Sequence, residues 1–201
     1  MSRKLKVFLD TSVILAGLNS PTGAAGVILA ACFAKQIIPI ISPQVIAEAD
    51  RNIIAKFPKL TTAWQSFLLI PPKVTKDPTI KQVQKAYNIL PTLDASILAS
   101  AIVARPNALV TWNTKDFLRP KVVQAVSFPI MIPGGFLKAH LTDPRLNILT
   151  MLYCMYEKYI QTKRAGTEAR SASSAGGGIF QGRSVPDLGG SAFQCQPSDS
   201  A

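Results

Sequence analysis

Acidic residues are scarce in this chain. Of its 201 residues only 11 are Asp or Glu, against 22 Lys and Arg, which gives a formal net charge of +11. Such an excess favours polyanionic partners, with nucleic acid first, because clustered cations attract phosphates and release their counterions. A scattered basic surface that only keeps a protein soluble would give the same count. Charge therefore ranks the functional classes without choosing among them.

Cysteine is equally rare. Cys32, Cys154 and Cys195 are odd in number, lie far apart and lack the C-x-x-C spacing. They indicate neither a disulfide framework nor a zinc site. A reducing cytoplasm is the location that fits them.

Apolar runs of membrane-spanning length are also missing. Residues 11–34 carry no charge, but Asn19, Ser20, Pro21 and several glycines interrupt them, which spoils a spanning helix. Asp10 breaks the apolar stretch behind the basic N-terminus, so no signal peptide is expected. No membrane partner is predicted.

Hydrophobic patterning continues to about Ile160 and then stops. We predict a folded domain over residues 1–140 and an amphipathic helix over 141–160, which either packs on the body or supports a dimer or partner contact. Gly, Ser, Ala and polar residues dominate residues 161–201. That composition predicts a disordered tail.

Short apolar strands alternate with helical patterns along the domain. This alternation predicts an α/β fold whose mostly parallel sheet carries helices on both faces. Asn113 to Asp116 is predicted as a polar turn. The predicted strands are Leu5–Leu9, Ile37–Ile41, Lys73–Thr75, Ala108–Trp112 and Phe128–Ile132, and the predicted helices cover 24–35, 61–69, 79–90, 94–104 and a segment that begins at Ser42-Pro43.

Four acids occupy apolar or structured settings. Asp10 directly follows the first strand, Glu48 lies inside the Ser42-Pro43 helix, Asp94 opens a helix, and Asp116 ends the turn after a later strand. In parallel sheets, sites gather at the carboxyl ends of strands. If the four converge, their repulsion calls for a hard divalent cation such as Mg²⁺ or Mn²⁺, which suits phosphodiester hydrolysis.

Each acid taken singly has a structural alternative. Asp10 and Asp116 would serve as caps, and Asp94 as an acid favoured by a helix dipole. Glu48 would be a solvated residue of an amphipathic helix. Jointly these alternatives must explain why acids follow two core strands and flank apolar helices in so basic a chain.

Four segments of the chain together resemble a PIN domain. The likeness runs from about Lys4 to Leu137, in the family's order and with its spacing, and is greatest to bacterial toxin components of toxin–antitoxin systems related to VapC. The four segments are Val7–Ser12, Ser42–Glu48, Asp94–Ala101 and Leu109–Phe117.

The resemblance implies a three-layer α/β/α sandwich and an endoribonuclease that prefers single-stranded RNA and depends on Mg²⁺ or Mn²⁺. The implied partners are RNA and a cognate antitoxin, and the apolar C-terminal helix adds a second copy of the chain as a further candidate partner. The implied catalytic residues are Asp10, Glu48, Asp94 and Asp116, of which Asp10, Asp94 and Asp116 bind the metal. Thr11, Ser12, Thr111 and Asn113 are the implied supporting residues, and Lys81, Lys85, Lys115 and Arg119 are the cations expected to contact RNA.

Two positions depart from the family pattern. Ser12 stands where relatives commonly have Asn, with a shorter reach, and Asn113 stands where many have an acid. A non-catalytic PIN-fold module that binds RNA or protein is the main alternative. A phosphotransfer domain with Asp10 as nucleophile is a third, but the phosphatase pattern needs a second Asp where Ser12 stands.

Overall fold

The computed structural model describes residues 4–140, so the predicted helix 141–160 and tail 161–201 lie outside the described residues. Five strands form one sheet in which every pairing is parallel, in the order β3-β2-β1-β4-β5. The strands are β1 (Leu5–Leu9), β2 (Ile37–Ile41), β3 (Lys73–Val74), β4 (Ala108–Val110) and β5 (Ile130–Met131).

Nine α-helices accompany the sheet within residues 4–140, together with a short 3-10 helix over Pro58–Leu60. The α-helices are α1 (Thr11–Asn19), α2 (Ala24–Phe33), α3 (Pro43–Lys56), α4 (Thr61–Leu68), α5 (Ile80–Ile89), α6 (Ala95–Ala104), α7 (Thr114–Phe117), α8 (Pro120–Ala125) and α9 (Pro133–His140).

The strand order places helices on both faces of the sheet. The chain moves outward from β1 through β2 to the edge strand β3, then crosses back to β4 and β5 on the other side. Because such crossovers are right-handed, α1 to α4 cover one face and α5 to α8 the other. Contacts between α1, α2 and α3, and between α5, α6 and α8, agree with this division. The predicted α/β/α sandwich with a parallel sheet is confirmed.

The central strand β1 is deeply buried, as is its neighbour β4. Val7, Phe8 and Leu9 have no exposed surface, as expected of a parallel strand covered on both faces. Connections from β1 and β4 leave in opposite directions, so the gap between their carboxyl ends is a topological switch point, where α/β folds bind ligands. Asp10 follows β1 at this gap.

Helices α1 and α2 pack closely beside the sheet. A Cβ on Gly17 would lie 2.9 Å from the Ala25 carbonyl oxygen, so the close approach of the two helices requires glycine there. None of the helices in residues 4–140 is long and apolar enough to cross a membrane by itself; α1 and α2 would pass only as a pair, and they meet at 93°.

Several predicted boundaries need correction. The predicted strands Ala108–Trp112 and Phe128–Ile132 are shorter, and the predicted turn at Asn113–Asp116 is the start of α7. Helix α1 was not predicted, because its apolar residues form one continuous block from Val13 to Ala16 and show no helical periodicity. Helix α9 begins at Pro133, followed by two glycines. That sequence is typical of a turn, but proline is also favoured in the first turn of a helix.

Candidate active site

Asp10 joins the first strand to the site. Its backbone N–H donates to the Val110 carbonyl at 3.1 Å, and its own carbonyl accepts from the N–H groups of Val13 and Ile14 at the start of α1. The side chain makes no capping hydrogen bond to that helix. Its backbone therefore begins the helix while its carboxylate, on a residue only 5% exposed, faces other partners.

Two hydroxyl groups hold the Asp10 carboxylate. Thr111 Oγ1 donates to Asp10 Oδ2 at 2.7 Å, and Ser12 Oγ donates to the same oxygen at 2.5 Å. Each hydroxyl also accepts from the segment that follows β4, Thr111 from the Asn113 N–H at 2.9 Å and Ser12 from the Trp112 N–H at 3.0 Å. Ser12 thus reaches both partners in spite of its shorter side chain. The carboxyl ends of β1 and β4 are locked together.

Glu48 is tied to the same region from α3. Ser42 caps that helix by accepting from the Val45 N–H at 3.2 Å, as predicted. Glu48 lies between exposed and buried, and Thr11 Oγ1 donates to its Oε2 at 2.7 Å. Because Thr11 directly follows Asp10, this contact brings Glu48 to the switch point and argues against its being a freely solvated residue.

Asn113 connects the other two acids. Its side-chain Nδ2 donates to Asp94 Oδ2 at 2.7 Å and to Asp116 Oδ2 at 3.1 Å. Asn113 also caps α7, since its Oδ1 accepts from the Asp116 N–H at 3.3 Å. The cap of this short helix is therefore Asn113, and neither Asp116 nor Asp94 makes a side-chain capping bond. Both carboxylates point at one amide.

Arg119 pairs with the last acid. Its Nη2 donates to Asp116 Oδ1 at 2.5 Å, with the Arg119 side chain 40% exposed and that of Asp116 18% exposed. Among the four cations expected to contact RNA, Arg119 is thus engaged at the site. Lys115 lies exposed on α7, the short helix that also carries Asp116. Lys81 and Lys85 are exposed on α5, and no hydrogen bond or ion pair within residues 4–140 joins them to the acids.

The acids influence one another electrostatically. Burial raises the pKa of Asp94 above its ordinary value, and the negative charges of Asp10, Glu48 and Asp116 raise that pKa further, while the hydrogen bond from Asn113 lowers it. Like charges raise a carboxyl pKa only when they lie close enough to interact. All four acids therefore share one electrostatic site.

The donors suit a hard divalent cation. Asp10 Oδ1, Glu48 Oε1 and Asp94 Oδ1 accept no hydrogen bond from the described residues, which leaves carboxylate oxygen available on three acids. As they stand, no three His, Cys, Asp or Glu side chains in residues 4–140 form a group that could hold a single ion. Mg²⁺ does not need such a cage, because it usually keeps waters and uses one or two carboxylates with substrate phosphate. The residues fit the ion by chemistry and by charge.

Comparison with known proteins now bears on this arrangement. The sequence model of the PIN domain matches residues 6–115, which is more than half of the 201 residues. The chain belongs to the PIN domain family. PIN domains are generally nucleases, and they usually use divalent metals.

This PIN domain is similar to the crystal structure of PAE2754 from Pyrobaculum aerophilum, with 16% sequence identity and a TM-score of 0.44, over 75% of this chain and 90% of that chain. No curated protein matches the sequence.

All eight residues predicted as catalytic or supporting lie in one connected group of this PIN domain. Hydrogen bonds and chain neighbours link them without a break. Sequence reasoning missed Trp112 as part of this region. The sequence predicts Trp112 as the last residue of a strand, whereas its N–H donates to Ser12 Oγ and the residue is 46% exposed. An exposed tryptophan between two supporting residues, Thr111 and Asn113, was the available signal.

Proposed function

We propose that this protein is a metal-dependent endoribonuclease that hydrolyses phosphodiester bonds in single-stranded RNA. The observation that carries the proposal is the convergence of four acids on the switch point of a PIN fold, with a raised pKa at Asp94 caused by burial and by the other three. A basic chain gathers a local excess of negative charge there. Such an arrangement suits a cation and a phosphate more than it suits stability.

The residues have distinct proposed tasks. Asp10 and Asp94 would hold Mg²⁺ or Mn²⁺ with their available oxygens, and Asp116 would join them once Arg119 releases its Oδ1. The ion when bound supplies charge neutralisation of the phosphate and a lowered pKa for the attacking water. Glu48, oriented by the hydrogen bond from Thr11 to its Oε2, has Oε1 available to accept the proton of that water. Thr111, Ser12 and Asn113 keep the acids in place, and exposed cations such as Lys115 bind the backbone of the RNA.

Cleavage of defined oligonucleotides tests the proposal. End-labelled RNA without secondary structure is incubated with the protein and Mg²⁺, Mn²⁺ or EDTA, beside an RNA duplex and a DNA strand of the same sequence. We expect internal cleavage of the single-stranded RNA with either metal and none in EDTA. Cleavage that persists in EDTA contradicts the metal requirement, and preference for the duplex contradicts the proposed substrate.

The second candidate is a PIN-fold module that binds RNA or protein without cutting it. The pairing of Asp116 with Arg119, and the lack within residues 4–140 of a three-acid group as they stand, favour it. Filter binding to the same RNA in both metal and EDTA separates the two. Binding that never leads to a cut strand in either metal would select this module over the nuclease.

A toxin role is the narrowest part of the proposal. The likeness of the sequence to toxin components supports it, and it includes a cognate antitoxin, a homodimer and a cytoplasmic location. Induced expression of the parent should arrest bacterial growth, and the Asp94→Asn variant should not. A nuclease active on RNA in vitro whose expression leaves growth unchanged would retain the chemistry and remove the toxin role.

A further inference from the structure

The two tryptophans of the chain have opposite environments. Trp64 is 3% exposed, its Nε1 donates to Asp50 Oδ1 at 2.7 Å, and its ring stacks on Phe67 with centroids 5.8 Å apart. Trp112 is 46% exposed, and within the described part of the chain its ring has no aromatic neighbour and its Nε1 no hydrogen bond. Core packing explains Trp64 and leaves Trp112 without a structural task.

The backbone of Trp112 is fixed to the carboxylate site. Its N–H donates to Ser12 Oγ at 3.0 Å, and Ser12 in turn donates to Asp10. The residue before it, Thr111, also donates to Asp10, and the residue after it, Asn113, donates to Asp94 and Asp116. Trp112 therefore lies between two residues whose side chains bind Asp10, Asp94 and Asp116, and its half-exposed indole leaves the backbone at this edge of the four-acid site.

The surroundings of this ring favour a base over an apolar protein surface. The residues that follow Trp112 are polar or basic, namely Asn113, Thr114 and Lys115, with Arg119 a turn further on. An apolar protein interface usually needs a contiguous patch of several hundred Å². An aromatic face beside cations is the arrangement that single-strand-binding proteins use, since bases stack on the ring while Lys and Arg bind phosphates.

A second exposed apolar side chain directly precedes one of the four acids. Leu93 is 97% exposed and directly precedes Asp94, whose carboxylate is hydrogen-bonded to Asn113. Leu93 and Trp112 thus each precede one partner of that hydrogen bond. The face of an unpaired base is free to pack against these apolar side chains, whereas a paired base keeps both faces stacked inside a duplex.

We propose that the indole of Trp112 is a stacking platform for an unpaired nucleobase beside the bond to be cut, which makes Trp112 a substrate-positioning residue. This rests on the proposed function, because it names the part of a single-stranded substrate that the same site would hold. It also gives a physical reason for preferring single strands. Stacking is tolerant of base identity, so the platform positions the strand without reading its sequence.

Tryptophan fluorescence tests the contact in EDTA, where metal-dependent cleavage is absent. The probes are an eight-nucleotide RNA, a DNA of the same sequence and an abasic oligomer with the same number of phosphates. The Trp112→Phe variant leaves Trp64 as the only tryptophan and serves as the optical control. We expect the RNA to quench the parent and not Trp112→Phe, and the abasic oligomer to quench neither. Quenching by the RNA but not by the DNA shows that the protein also recognises the ribose. Quenching by both the RNA and the DNA shows that the base alone is sufficient for the contact with Trp112.

Variant affinities complete the test. Trp112→Ala should weaken RNA binding about tenfold, and Trp112→Phe should retain most of the affinity because it keeps an aromatic face. In the cleavage assay Trp112→Ala should raise KM by a similar factor and leave kcat within about threefold, since a positioning contact of this size acts mainly on binding. Equal melting temperatures of the two variants show that the loss is not a loss of folding.

Three results would overturn the stacking proposal. The first is equal quenching by the abasic oligomer, and the second is equal RNA affinity of Trp112→Ala and the parent. The third is that, without RNA, self-association or a bound protein already shields Trp112 from acrylamide, a soluble quencher that reports the exposure of the indole. If the parent cuts RNA and Trp112→Ala has an unchanged KM, stacking fails while the nuclease stands. If the parent is quenched by RNA and never cuts it, stacking stands and the nuclease fails.

Discussion

Asn113 donates a hydrogen bond from its side-chain amide to Asp94 at 2.7 Å, across 19 positions of the chain. The same nitrogen donates to Asp116 at 3.1 Å. A neutral amide thus lies between two carboxylates, where many relatives are expected to carry a further acid. The amide offsets part of the repulsion that four acids create, and this explains how a site rich in negative charge is stable before any cation binds.

Replacement of the Asn113 amide by an acid should increase the repulsion among the carboxylates instead of offsetting it. Asn113→Asp removes both donated hydrogen bonds and adds a negative charge next to Asp94 and Asp116. We expect a lower melting temperature in EDTA, because the added charge increases repulsion among the acids. We also expect a larger rise on adding Mn²⁺ than the parent shows, because the stabilisation by a bound ligand increases with its affinity for the folded state. Differential scanning fluorimetry with and without metal measures both. An equal metal-induced rise in parent and variant would contradict the placement of the cation near Asn113.

Asp94→Asn should stabilise the metal-free protein at neutral pH. Burial, then Asp10, Glu48 and Asp116, raise the pKa of Asp94 in the folded state. The stability that protonated Asp94 contributes is fully present below the pKa of the unfolded chain and is lost as the pH rises through the raised folded pKa. The advantage of the variant in EDTA should therefore grow across that window and vanish in acid.

Asp77→Asn is the matched control for this pH dependence. It removes the same charge from an exposed residue whose only described partner is Gln44, at 3.0 Å. We expect its melting temperature to follow that of the parent at every pH. If Asp77→Asn and Asp94→Asn raised the melting temperature in EDTA by the same amount, the stabilisation would come from the change in net charge and not from the four-acid site.

Ser12→Ala should loosen the link between β1 and β4. It removes the donor to Asp10 and the acceptor of the Trp112 N–H. One or two lost hydrogen bonds of this kind cost about 1 to 3 kcal/mol, and for a chain of this size about 1 kcal/mol corresponds to roughly 2–4 °C in Tm. Thermal unfolding checks the loss. A Ser12→Thr variant that keeps the hydroxyl and unfolds with the parent would assign the effect to the hydrogen bonds.

Arg119→Gln should affect RNA binding more than stability. The ion pair with Asp116 is partly exposed, and such pairs contribute about 0 to 1 kcal/mol. We expect an RNA phosphate to replace Asp116 as the partner of Arg119. The variant then loses one phosphate contact, and the salt dependence of binding flattens by about one unit of slope on a log–log plot. Lys56→Gln, an exposed residue in the last turn of α3, is the control of equal charge. Identical slopes for the two variants would remove Arg119 from the RNA surface.

The strands β1 and β2 were predictable from sequence because they are largely buried on both faces. Leu5–Leu9 is apolar except for Lys6, Ile37–Ile41 is apolar throughout, and both strands have the predicted bounds. The edge strand at Lys73 and the Ser42 cap were also found, since proline and serine have local preferences that tertiary packing did not override. Chain order and right-handed crossovers then fix the layers.

Other features depend on contacts that no local pattern reveals. Strand β4 stops at Val110 because Thr111 and Trp112 turn toward Asp10 and Ser12. The local sequence around Glu48 is that of an ordinary helix-surface residue, and only the hydrogen bond from Thr11, which is distant along the chain, ties it to the site. Arg119, one of the cations expected to contact RNA, is paired with Asp116. The short helix α7 and the turn that follows it bring the two side chains together.

Paired assays of the parent, Asp94→Asn and Asp77→Asn on one labelled single-stranded RNA test the central claim most directly. All three proteins are purified identically, so a contaminating nuclease would appear in each. The account predicts cleavage by the parent and Asp77→Asn in Mn²⁺ or Mg²⁺, none in EDTA, and a loss of about 10²-fold or more for Asp94→Asn, a magnitude typical of groups that stabilise charge in the transition state. A fully active Asp94→Asn protein would contradict the account.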